Sequence, residues 1–142
     1  MIHRRIFLLL AFMVSTLQMN SSFAQRTSSD SYECIIKEAK DVSEIGLLES
    51  HNFNADSVGK TFIVDRSTGL SMGEFRNFVD QDDVEIISSG SNELNFVAIS
   101  FVGPFRYLNY LEIEEWRETV EKPFLAIDNI RGVLTGICTG LG

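Results

Sequence analysis

The chain is poor in the residues that most often carry chemistry. Its 142 residues hold two cysteines, two histidines, two prolines and one tryptophan, with 12 basic against 20 acidic side chains. Each scarcity excludes something. One histidine, His51, lies beyond the first few residues, and Cys34 and Cys138 stand near opposite ends of the chain. A zinc site of nitrogen and sulfur ligands is therefore out of reach, and so is a Cys-x-x-Cys redox motif. The shortage of Lys and Arg argues against nucleic acid as a partner, because phosphate binding depends on those residues. Long hydrophobic runs are missing too: the uncharged stretch 6–17 (IFLLLAFMVSTL) is twelve residues, against about 20 for a bilayer-spanning helix.

What is present begins with an address. His3, Arg4 and Arg5 precede the apolar stretch, and Ser22-Phe-Ala24 follows it, the order of a positive n-region, an h-region and a small-residue cleavage site. Residues 1–24 are read as a signal peptide cut after Ala24, and 25–31 (QRTSSDS) as a disordered start. Residues 32–142 then form one domain, exported to the periplasm or beyond, with no membrane span after cleavage. The leader carries two arginines and no acid, so its removal takes the formal charge from −8 to −10. An oxidising compartment favours pairing of Cys34 with Cys138.

Alternation supplies the fold class. Tyr32–Lys37 places Tyr32, Cys34 and Ile36 on one face; strands are also read at 61–65, 84–88, 94–102, 107–113, 124–127 and 133–138. The segment 94–102 is apolar enough for a central strand covered on both sides. Asp128–Gly132 has the composition of a tight hairpin loop. Residues 40–59 read as a short helix or an ordered loop. Ile113, Trp116 and Val120 recur at helical spacing, and Pro123 would stop a helical turn or two over 112–122. The expectation is a mainly β domain: a small antiparallel sandwich or barrel with one or two short helices, its terminal strands joined by the disulfide.

The segments Phe62-Ile-Val-Asp-Arg-Ser-Thr-Gly69, Lys122-Pro-Phe124 and Thr135-Gly-Ile-Cys138 resemble a scattered group of small exported bacterial proteins. The resemblance implies a shared fold and a bacterial envelope or secreted setting, and it implies no reaction. Physically, Asp65–Gly69 reads as a turn in which Asp and Ser side chains bond nearby N–H groups and Gly69 takes positive φ.

Catalytic motifs fail on context. Gly69-Leu-Ser-Met-Gly73 matches the G-x-S-x-G elbow, yet His51 precedes the serine where a triad histidine should follow it. Gly59-Lys-Thr61 recurs at the end of phosphate loops, but the earlier glycine is Asn54 and a strand follows. Asp80, Asp82 and Asp83 would need glycine where Glu85 stands and glutamate where Ser91 stands to bind calcium as an EF-hand. The acids Glu112, Glu114, Glu115, Glu118 and Glu121 crowd one element, as a solvated face does, rather than facing a sugar from two sides. No catalytic residue, metal or cofactor is assigned, and the chain is read as a non-enzyme.

A candidate binding surface remains: Tyr107, Tyr110, Glu112, Glu114 and Trp116, aromatic bodies beside carboxylates. It suggests an exported acidic interaction module that binds or inhibits a basic protein or peptide. The alternative is a lipocalin-like carrier of an apolar ligand, suggested by the apolar strands and eight phenylalanines beyond residue 24.

Overall fold

In the computed structural model the described residues are 30–50, 55–75, 83–102, 107–128 and 132–142. Residues 1–24, read above as a signal peptide, and His51, Asp80 and Asp82 lie outside them. Among the described residues nine strands form: β1 (Ser31–Val42), β2 (Leu48–Glu49), β3 (Thr61–Asp65), β4 (Ser71–Gly73), β5 (Val84–Ser89), β6 (Phe96–Val102), β7 (Tyr107–Ile113), β8 (Glu121–Asp128) and β9 (Gly132–Leu141). All pairings are antiparallel, in the order β4-β3-β1-β9-β8-β7-β6-β5, with β2 appended to β1. The protein is thus mainly β, a single curled sheet of half-barrel form in which the first and last long strands are neighbours.

The period-2 rule assigns the two faces. Tyr32, Cys34 and Ile36 of β1 point inward, as do Phe62 and Val64 of β3, Phe96 and Ala98 of β6, and Leu111 and Ile113 of β7. Phe124, Ala126, Leu134 and Cys138 complete the interior from β8 and β9. A bulge between Ile36 and Glu38 resets the alternation of β1, so Ala39 is the next buried residue and Lys37 and Glu38 both lie outside. Phe62 sits at the centre, 5.3 Å from the Phe75 ring and 5.2 Å, edge-on, from Phe124. Burying such a side chain contributes about 2–3 kcal/mol from transfer alone.

Gly136 shows why a side chain is missing at one inward position. It pairs with Phe124 on one side and Ile36 on the other, and a Cβ there would run into the Ile35 carbonyl oxygen and the Phe124 ring. The aromatic ring occupies the space the glycine leaves.

Cys34 and Cys138 are directly opposite in the β1–β9 ladder and are bonded, with Cα atoms 3.9 Å apart. Both are fully buried. The disulfide joining the terminal strands is the one the cysteine count implies.

The helical turns expected over 112–122 do not form. Ile113 is the last residue of β7, 114–120 is a turn, and β8 begins at Glu121. The spacing of Ile113, Trp116 and Val120 is coincidental: Ile113 is fully buried, whereas Val120 is 73% exposed. Pro123, read as a helix stop, lies inside β8. Its carbonyl accepts from Glu114 N at 2.9 Å, so its nitrogen also faces the side where β7 has just ended, and no β8–β9 ladder bond is lost. Likewise 43–47 is a turn closed by Ser43 N donating to Leu47 O at 2.8 Å and 48–49 is β2, so this part of 40–59 is not helical; 51–54 lie outside the described residues. The Asp128–Gly132 pair joins β8 to β9 as the hairpin reading expects; its tip, 129–131, lies outside the described residues.

Candidate functional site

β7 presents its two faces differently, and this sorts the sequence-predicted residues. Tyr110 and Glu112 lie on the outer face, half-buried, while Tyr107 has the parity of the inward-facing Asn109, Leu111 and Ile113. Tyr107 is therefore at the strand's start and on the other face, 45% exposed. Glu114, just beyond the strand end, joins Glu112. Trp116 is in the turn, and the Arg117 guanidinium lies 4.9 Å over its ring. That guanidinium also pairs with Glu114. The structure brings Tyr110, Glu112 and Glu114 together, connects Trp116 to them through Arg117, and places Tyr107 apart.

Glu112 is held in position. Its carboxylate accepts from the Tyr110 hydroxyl at 2.6 Å and from Asn95 Nδ2. Burial, then the hydrogen bond to Glu112 and its negative charge, push the Tyr110 pKa up to about 12. The phenol consequently remains a donor to Glu112 at any physiological pH.

Strand register extends the site across residues distant in sequence. Glu112 faces Leu125, Leu125 faces Thr135, and Thr135 faces Glu38. A second outer row runs from Pro123 to Ile137 to Ile35. Between these rows lies a cleft of about 540 Å³ lined by Lys37, Glu38, Glu112, Glu114, Pro123, Leu125, Thr135 and Ile137 among others. Its floor is apolar and its two ends carry carboxylates. The disulfide and the hairpin composition join β1, β8 and β9 in the sequence reading but set no register among them or with β7, so only Glu112 and Glu114 of the lining could be found in advance.

A second polar cluster sits at one end of the curled sheet. Glu115, 6% exposed at its side chain, receives both Nε and Nη2 of Arg66, at 2.8 and 2.7 Å. Arg66 Nη2 also donates to Gly90 O at 3.1 Å. Lys122, buried, donates to the carbonyl oxygens of Glu115 and Arg117. Arg66 belongs to the β3–β4 turn, Gly90 to the β5–β6 turn and Glu115 to the β7–β8 turn, so this cluster ties three connections together. Glu115 thus leaves the acidic run to serve structure. Its partner is 49 positions away, and no local pattern announces it.

The β3–β4 turn behaves as its composition suggests. Asp65 Oδ1 accepts from Ser67 N at 2.8 Å, Ser67 Oγ at 2.7 Å and Thr68 N at 3.0 Å, and Gly69 has φ +74°. The Ser67 hydroxyl foremost, with the backbone donors, holds the Asp65 carboxyl below its usual range against the opposing effect of burial. Gly69-Leu-Ser-Met-Gly73 is the end of this turn followed by β4, and Ser71 is fully buried opposite Val64. Lys60, ahead of β3, pairs at 3.5 Å with Glu74.

No family model, curated protein or solved structure matches the chain. A disulfide of this kind belongs to an oxidising, non-cytoplasmic environment. Among the described residues no helix is long and apolar enough to cross a membrane.

Proposed function

We propose that the protein is an exported, acidic interaction module that binds a basic protein or peptide on the outside of its sheet. The observation that carries this reading is the outer cleft, where oriented carboxylates flank an apolar floor. Such a surface attracts cations over roughly a Debye length, about 8–10 Å, and retains them by desolvated contact. Among the described residues, the burial of Phe62, Phe75, Phe96, Leu111 and Ile113 on the inside of the curl favours the same reading over a carrier. The reading of residues 1–24 and the disulfide support export.

The test is recovery of what the protein holds when purified from its native envelope, by mass spectrometry for proteins and by organic extraction for lipids. A basic protein whose capture weakens with added salt supports the module. An apolar small molecule recovered stoichiometrically, with no basic partner, overturns it in favour of the carrier.

A further inference from the structure

We infer that the outer cleft is the docking site for an extended segment of a basic partner, one presenting two cationic side chains four residues apart with an apolar side chain midway. This rests on the interaction-module reading and specifies where the module binds and what pattern it selects.

The cleft crosses four strands. Glu112 and Glu114 stand at its β7 side and Glu38 at its β1 side, with Leu125 and Thr135 in register between Glu112 and Glu38. Neighbouring strands are about 4.8 Å apart, so three spacings set the two acidic ends about 14 Å from one another. An extended chain advances about 3.3 Å per residue and returns to the same face at every second residue, so its positions i and i+4 are about 13 Å apart with i+2 between them. The match fixes the occupant: cations over the two ends, an apolar side chain on the floor made by Pro123, Leu125 and Ile137. A helical segment would need about nine residues to cover the same distance and would turn most of them away.

Charge complementarity decides the sign. Three carboxylates against Lys37 alone line the cleft, and a second copy of this chain, itself acidic, would bring like charge to it. The two ends are not equal. Glu112 is already oriented by Tyr110 and Asn95, which lowers the ordering cost of binding. Glu114 is engaged by Arg117 in a partly exposed pair, of the weak kind an incoming guanidinium can replace. At the other end Lys37 stands beside Glu38, so the β7 end should dominate.

The experiment uses the protein expressed as the full 142-residue chain and purified, with the labelled peptide acetyl-Arg-Thr-Val-Thr-Arg-amide as probe and fluorescence anisotropy at low salt as readout. Glu112→Gln with Glu114→Gln should weaken binding about tenfold, and Glu38→Gln about threefold. Glu49→Gln with Glu93→Gln removes the same charge from exposed positions outside the cleft and should change affinity by less than about twofold. A peptide of the same composition with its arginines adjacent should bind more weakly. Should the Glu112 and Glu114 variant fail to fold, Leu125→Lys, which puts a cation on the partly exposed floor, must abolish binding. Equal weakening by the two double variants, or equal binding of the two peptides, overturns the docking site while leaving the module reading in place. Binding of neither peptide, together with no basic partner from the envelope, overturns both.

Discussion

The curled sheet is held in shape in two places by unlike means. Where β1 meets β9, nine residue pairs lie in register and a disulfide spans the ladder. Where the edge strands β4 and β5 approach, no ladder forms among the described residues. There a Cβ at position 69 would lie only 3.0–3.3 Å from the side chains of Val84, Ile86 and Ala98, so Gly69 permits the close approach, and the Arg66–Glu115 pair ties the turns at one end. The first junction is a backbone ladder crossed by one covalent side-chain link. The second depends on one buried ion pair and one glycine-containing turn. A small sheet can close its chain ends permanently and its edges conditionally.

The largest effect should come from the covalent junction. Cys34→Ala with Cys138→Ala opens a loop of sequence separation 104, worth about 4–5 kcal/mol in the chain-entropy account. Urea unfolding of the oxidised protein and of the double variant measures it. A difference below about 1 kcal/mol would mean that the ladder alone carries this junction.

Next is the conditional junction. Glu115→Gln leaves the guanidinium of Arg66 buried without a counter-charge, and removing one member of a buried pair costs about 3–5 kcal/mol. Arg66→Met combined with Glu115→Leu should recover most of that loss, because neither charge then remains buried. If the double variant is as unstable as the single, the pair is not what closes this end.

The smallest effect belongs to the turn. Asp65→Ala removes an acceptor serving Ser67 and Thr68, at a cost of about 1–2 kcal/mol. The pH dependence has a defined sign: the folded carboxyl has a lowered pKa, so its contribution is complete above the unfolded value near 3.8 and is lost as pH falls through the folded value. Wild-type protein should therefore lose its advantage over Asp65→Ala below pH 3.8, and an advantage that persists into stronger acid would contradict the assignment.

The sequence disclosed what is local. The strands at β1, β3, β5 and β7–β9 follow from alternation, the Asp65–Gly69 turn from its Asp, Ser and Gly, and the disulfide from there being two cysteines in a chain read as exported. β6 follows from its apolar run, but it lies beside the edge strand β5 with Val97, Ile99 and Phe101 only half-buried, not at the centre with both faces covered. β4 is three residues long and β2 two, too short for any period to register. The bulge after Ile36 hid the rest of β1 by shifting its inward positions from even to odd numbers. The first residues of β8 were masked by a helical spacing that is accidental. The site divides in the same way. Tyr110, Glu112 and Glu114 share one stretch of chain and could be read together, whereas Glu38, Leu125, Thr135 and Ile137 reach them only through the registers of three ladders.

The claim that binding takes place on the outside of the sheet is tested most directly by association kinetics with a basic partner across a salt series. The account predicts an on-rate that falls as salt rises and an off-rate that changes much less. It predicts also that Glu112→Gln with Glu114→Gln flattens the salt dependence while Glu49→Gln with Glu93→Gln leaves it near wild type. A salt-independent on-rate, or the same flattening from both double variants, would contradict it.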